Sequence, residues 1–335
     1  MIKVGIDGAG SPEGGELIRL LLNHPDVELV QVAQPEYVGR DISDIHHGLV
    51  SEKSLAFSKE IDFDEVDLIF VTSSSDSKIF HNPDDFIAHK TEPESGFVIY
   101  LCQQDNILRN LSTFFLKCDS DTEDSNGLCE NLKNKLVYGI PELNRKPLVR
   151  GARKAVIPTS IESLVVVALL PLIGQFVIND VIQLNITGRR ETIDSFIPRK
   201  KEIEERINCV MKEISSREID CVLNFNYDEE ANRCISLSVD FNSSSSTLDD
   251  LRGKVEQTYD DHNLAHLSKK HLSYKEVEGT DKCLIEIFKL GAGEYRVNAF
   301  VDAMLRGGAG DAIHVMNLFC GLYERTGLNL KASVY

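Results

Sequence analysis

No run of about 18 consecutive apolar residues occurs in this 335-residue chain, so no segment reads as a membrane-crossing helix. A basic leader followed by apolar and then small residues is also missing: Met1-Ile-Lys-Val-Gly-Ile opens directly as a strand, and a cytoplasmic protein is the expectation. The eight cysteines, at 102, 118, 129, 209, 221, 234, 283 and 320, show no C-x-x-C spacing, which disfavours both zinc and a redox pair. Most are expected to be buried small hydrophobes, and no metal site is expected. Positive charge is scarce, with 36 Lys and Arg against 53 Asp and Glu for a net −17, and Arg199-Lys-Lys201 is the longest basic cluster. That balance argues against partners made of nucleic acid or anionic membrane. Histidine is absent between His89 and His262, which matters below.

What is present describes a folded protein. A content of 42% hydrophobic and 27% charged residues over this length implies two domains. The opening reads as β-α-β, with a strand from Lys3 to Ile6, a helix from about Gly14 to Asn23, and a strand from Val27 to Val32. Val66 to Val71 and Phe97-Val-Ile-Tyr-Leu101 have the unbroken apolar texture of buried parallel strands, so the fold class is α/β with a doubly wound parallel sheet. The acidic stretch Asp119 to Gly127 reads as a surface insert. Beyond residue 160 the pattern becomes strands (Val181 to Ile186, Cys234 to Val239) alternating with helical runs (Lys201 to Ile214, Thr247 to Tyr259), which implies a second domain of α+β type. Thr247-Leu-Asp-Asp250 supplies a capping-box-like start.

Between the first strand and the first helix lies Gly8-Ala-Gly-Ser-Pro-Glu-Gly-Gly-Glu-Leu17, the context in which a glycine loop cradles phosphate. Gly8, Gly10, Ser11, Pro12, Glu13 and Gly14 are the candidate cofactor contacts. Two residues work against that role: Pro12 lacks an N–H, and Glu13 places negative charge where a ligand's phosphate would sit. A carboxylate can itself occupy such an anion site.

Val137-Tyr-Gly-Ile-Pro-Glu-Leu-Asn-Arg145, then Ala155-Val-Ile-Pro-Thr-Ser160 and the apolar run Leu164 to Leu172 ending Leu169-Leu-Pro-Leu172, resemble the N-acetyl-gamma-glutamyl-phosphate reductases of arginine biosynthesis. In that family "YGLPELNR" leads to "NPGCYPT" and a helix ending "LLPL". Asn298 to Leu318 resembles the family's C-terminal helix "DNLxKGAxGQAVQNMNL", so the likeness spans nearly the whole chain.

The resemblance implies a Rossmann-type domain at 1–157 with 303–335, and a semialdehyde-dehydrogenase-like α+β catalytic and dimerisation domain at 158–302. It also implies an NADP or NAD cofactor and a homo-oligomer, dimer or tetramer. Ungapped counting from Leu169-Leu-Pro-Leu172 puts Ser160 at the family's catalytic cysteine, and Arg199 falls where the family has histidine. The family chemistry needs a thiolate to attack an acyl phosphate and a hydride to reduce the resulting thioester, with histidine assisting proton traffic. A serine without a strong base does not replace the thiolate, because its ester is a poorer hydride acceptor.

The resemblance further assigns Ser73 and Gly307 to the cofactor site and sets Glu36 near the ribose. There Glu36 would repel a 2′-phosphate, or hydrogen-bond an NAD ribose at a spacing longer than usual. Arg189, Arg190 and Arg233 are the candidate substrate contacts, lining a pocket between the domains for a small-molecule carboxylate and offsetting the overall negative charge. Cys102, and Cys234 with a thiol acidified by Arg233, are alternative nucleophiles. The leading expectation is a catalytically disabled relative acting as a binding or regulatory protein. The alternative is an active NAD(P)-dependent reductase of an N-acylated glutamyl phosphate or a related acyl phosphate.

Overall fold

The computed structural model describes residues 1–72, 79, 83–90, 95–101, 136–173 and 181–332. Ser73, Cys102 and the acidic stretch 119–127 lie outside them. The chain divides into two compact units, one formed by Met1–Pro158 with Gly308–Asn329 and the other built around Thr159–Gly307.

In the first unit β1 (Ile2–Asp7), β2 (Val27–Ala33), β3 (Leu68–Thr72), β4 (Phe97–Leu101), β5 (Leu136–Tyr138) and β6 (Lys154–Val156) form a parallel sheet in the order β2-β1-β3-β4-β6-β5. Every residue of β3 and β4 is buried, which explains their apolar texture. The order reverses at β1, so the loop after β1 lies at a switch point, the place where open α/β sheets hold ligands. Around this sheet run α1 (Pro12–Leu21), α2 (Ile42–Ile45), α3 (Pro83–His89) and α4 (Pro141–Val149). The C-terminal helix Gly310–Phe319 belongs to this unit, and the Phe319 ring stacks on Phe97 of β4 at 5.2 Å. This is a Rossmann-type doubly wound sheet.

The second unit carries β7 (Val181–Gly188), β8 (Asp220–Tyr227), β9 (Cys234–Asn242), β10 (Ala265–Ser268), β11 (Cys283–Gly291) and β12 (Glu294–Asp302). They form a mixed sheet in the order β10-β11-β12-β9-β7-β8, parallel at its two outer pairs and antiparallel within. Its helices are α5 (Ser160–Leu169), α6 (Arg190–Phe196), α7 (Lys200–Ser215) and α8 (Leu248–Thr258). All ten residues of α5 are buried, as the helix packs on this sheet and on α7.

Two helices start earlier than the sequence suggests. α1 begins at Pro12 instead of Gly14, because Ser11 caps it by accepting the Gly14 N–H at 3.0 Å and Pro12 suits the first helical position. The apolar helix expected from Leu164 begins at Ser160, since Thr159 and Glu162 complete a capping box ahead of the apolar run. The expected capping box at Thr247 and Asp250 is present.

Candidate functional site

Ser160 occupies the first position of α5, where the N-terminal end of the helix dipole would favour an anion. The surroundings use that end otherwise. Glu162 returns its carboxylate to the Thr159 N–H and hydroxyl at 3.0 and 2.6 Å, and Arg206 of α7 holds the same carboxylate at 2.7 Å. Glu162 is completely buried. Burial pushes its pKa up and is the largest single influence, but the Arg206 charge and the hydrogen bonds from Arg206 and Thr159 together hold the carboxyl below its ordinary value. A full negative charge therefore already sits within the first turn. Ser160 is 2% exposed, and its hydroxyl has no hydrogen-bond partner among the described residues, so no base is positioned to deprotonate it.

Gly307 lies directly on this turn at φ +66°, where an added Cβ would come within 2.4 Å of the Ser160 Cα. Arg306, fully buried, donates from Nε to the Ser163 hydroxyl at 3.1 Å. Arg199 ends the 3₁₀ turn Ile197–Arg199 and leads into α7. Its guanidinium is a permanent cation and does not shuttle protons at neutral pH.

Of the alternative thiols, Cys102 lies outside the described residues and Cys234 is unsuited. Burial raises the Cys234 pKa, assisted by Asp302 and Glu278, and the opposing pull of Arg233 is the smallest of these influences. This corrects the expectation of an acidified Cys234. Burial likewise pushes Cys221 up to about 12. Both are inert at neutral pH.

The glycine loop has the packing of a dinucleotide fold. Gly8 takes φ +80°, and a Cβ on Gly14 would meet the Ala9 carbonyl oxygen at 2.5 Å, so helix and strand approach as closely as the motif requires. Most of its donors, however, are bonded within the unit. Gly8 and Ala9 N–H bond to Ala33 O, Ser11 N–H to Gly8 O, Gly14 N–H to Ser11 Oγ and Gly15 N–H to Ser11 O, while Gly10 N–H faces Gln34 Oε1 at 3.4 Å. The Tyr37 ring covers Gly10 and the His46 ring covers Gly15, where an added Cβ would approach these rings to 2.6 and 2.5 Å. His46 Nε2 lies 2.8 Å from Ala9 O. Glu36 is held by Gln34 Nε2 at 2.5 Å, a bond that lowers its pKa and keeps it anionic. A depression of about 330 Å³ at Asp7, the residue before Gly8, is lined by Glu60, Asp62, Asp64 and His89 and is acidic. With Pro12 and Glu13 in the first turn, these residues do not fit the pyrophosphate of a dinucleotide.

Arg189 and Arg233 come together, lining an open depression of about 500 Å³ formed by second-unit residues. Arg190 does not join them. Its guanidinium lies over the Tyr227 ring, 4.2 Å from the centroid.

A parallel nucleotide-fold domain followed by a mixed-sheet domain is the fold of the semialdehyde dehydrogenases. Solved structures agree. Aspartate semialdehyde dehydrogenase II from Vibrio cholerae superposes with a TM-score of 0.63 at 11% identity, covering 96% of this chain and 99% of that one. The aspartate semialdehyde dehydrogenase of Candida albicans, solved with NADP, gives 0.61 at 12% identity over 96% and 98%. At such identities these matches show the fold alone. Residues 3–83 match the family model described as Semialdehyde dehydrogenase, NAD binding domain.

Full-length relatives narrow the class. The N-acetyl-gamma-glutamyl-phosphate reductase of Parabacteroides distasonis is 31% identical over 359 residues, covering 100% of both chains. That of Phocaeicola vulgatus is 30% identical over 356 residues, again covering 100% of both. The chain belongs to the N-acetyl-gamma-glutamyl-phosphate reductase family. Among the described residues no helix is long and apolar enough to cross a membrane.

Proposed function

We propose that this chain keeps the scaffold of the reductase family but not its thiol-dependent hydride transfer, and that it acts as a small-molecule binding protein. The observation that carries this reading is Ser160 at the nucleophile position, buried, with no hydrogen-bonded base among the described residues and with the first turn already occupied by the Glu162 carboxylate. An acyl serine would be an oxygen ester, and without an activating base even its formation is slow. The internal bonding of most donors in the glycine loop supports the same reading, because hydride transfer requires a dinucleotide. The binding role would fall to the depression that Arg189 and Arg233 line.

The test is calorimetric titration of NAD, NADH, NADP and NADPH against the purified protein. No heat of binding at millimolar concentration is expected. Tight binding of either phosphate series would show that the loop opens and would remove one of the two supports.

A second reading is favoured by the full-length relatives named N-acetyl-gamma-glutamyl-phosphate reductase, which are active enzymes by name. On that reading the chain is an NAD(P)-dependent reductase of an N-acylated glutamyl phosphate, or a related acyl phosphate, with different groups supplying the chemistry. It requires dinucleotide binding together with turnover.

A further inference from the structure

Beyond the C-terminal helix the first unit ends in a strap, residues 321–329, that contains neither strand nor helix. Gly321 at φ +65° and Gly327 at φ +74° turn it, and its N–H bonds are local: Leu322 to Asn317 O, Thr326 to Tyr323 O and Leu328 to Arg325 O. None of these ties the strap to the parallel sheet. Side chains make its hold on the unit. Asn317, fully buried, donates from Nδ2 to Glu324 O at 3.0 Å and to Thr326 O at 2.9 Å. His314, one helical turn earlier, places Nε2 3.1 Å from Glu324 Oε2, and Arg145 of α4 pairs with the other oxygen of that carboxylate.

His24, in the turn between α1 and β2, is the remaining fastening, and the network fixes its proton. Carbonyl oxygens only accept, so Asn317 must turn its amide nitrogen to the strap and its Oδ1 to His24. That oxygen, 3.1 Å away, also only accepts, so His24 Nε2 carries the hydrogen. The other ring nitrogen then accepts the Asp26 N–H at 3.3 Å. The imidazole is buried and neutral, with each nitrogen committed to one role. A second proton would set Nδ1–H against the Asp26 N–H. Gly327 packs on the ring, where an added Cβ would strike Cδ2. Burial outweighs the Asn317 bond, the Asp26 charge and the Thr326 carbonyl, all of which favour the proton, and lowers the pKa from 6.5. Glu324 is engaged by Arg145 and His314 and not by His24.

We propose that His24 is an acid-operated catch on this strap: when the imidazole takes up a proton, residues 321–329 come away from the C-terminal helix while the parallel sheet stays folded. The release runs through one side chain. The cation repels the Asp26 N–H and lacks water where it sits, so the ring moves outward, and Asn317 loses the partner that orients its amide toward the two strap carbonyls. The strap opens alone because its backbone bonds are its own. The device is independent of the reading of this chain as a binding protein.

The test is hydrogen exchange of the whole protein, read by mass spectrometry at about pH 7.5 and about pH 5.5 and corrected for the intrinsic effect of pH. Peptides covering 321–329 should lose roughly tenfold in protection at the lower pH, while those of β3 and β4 hold theirs. His24→Gln keeps a donor for Asn317 and an acceptor for the Asp26 N–H but cannot titrate, and its strap should stay protected at both pH values. Strap protection unchanged by pH in the parent, an equal loss in His24→Gln, or simultaneous loss in β3 and β4 would each overturn the proposal. The ring-nitrogen NMR signals of His24 give a readout that needs no variant. Hydrogen on Nε2 alone is expected at the higher pH, with protonation tracking the loss of strap protection. Hydrogen on Nδ1 at that pH, or protonation that leaves the strap protected, overturns it.

Discussion

Gly307 lies against Ser160 so closely that a Cβ added to the glycine would sit 2.4 Å from both the N and the Cα of the serine. Backbone meets backbone there, so neither partner yields by rotating a side chain. The resemblance places Gly307 at the cofactor, and the structure gives it a packing role at the first turn of α5. Gly307→Ala combines this overlap with a left-handed φ of +66° and is expected to destabilise the protein by about 3 kcal/mol or more in urea denaturation. Gly253→Ala, in open space on α8, is the control and should stabilise by roughly 0.5–1 kcal/mol.

The side chain at position 160 should matter little for folding. Its hydroxyl has no partner among the described residues, so Ser160→Ala is expected to change stability by less than about 1 kcal/mol. Ser160→Cys supplies the thiol but neither the histidine nor an open phosphate cradle. A coupled NADPH assay should find it as inactive as the parent.

Glu162 and Arg206 should behave as a buried pair. Glu162→Gln leaves the 9% exposed Arg206 without its counter-charge and is expected to cost about 3–5 kcal/mol. The joint replacement Glu162→Leu with Arg206→Met removes both charges and should recover much of that loss. Chemical denaturation of the three variants makes the comparison.

The same pair gives a pH dependence of definite sign. Because Glu162 titrates below its unfolded value of 4.5 in the folded protein, the unfolded chain takes up the proton first. Its contribution is therefore complete above pH 4.5 and is lost as pH falls through the folded pKa. His24 acts higher on the scale. Burial lowers its pKa from 6.5 more than its bond to Asn317 raises it, so stability should already decline as pH falls below 6.5. Thermal melts from about pH 8 down to about pH 2 on the parent and His24→Gln separate the two contributions, since the variant should lose only the upper step.

The fold was largely legible because its signals are local. The apolar runs of β3 and β4, the glycines after β1 and the Thr247 box each report their own surroundings. The start of α5 is hidden from the apolar pattern because Thr159-Ser-Ile-Glu162 is a polar prelude to an apolar helix, and the capping box within it sets the first turn. The candidate site was less readable. That Arg190 turns to Tyr227 while Arg189 and Arg233 share a depression follows from strand register and not from spacing. The closing of Tyr37 and His46 over Gly10 and Gly15 likewise joins segments more than twenty residues apart.

The most direct test is an absorbance assay at the nicotinamide band, run in the oxidative direction with N-acetyl-L-glutamate semialdehyde, phosphate and NADP or NAD. The account predicts no turnover above the background without protein. Turnover that persists in the parent chain and disappears in Ser160→Ala would contradict it and establish Ser160 as a working nucleophile.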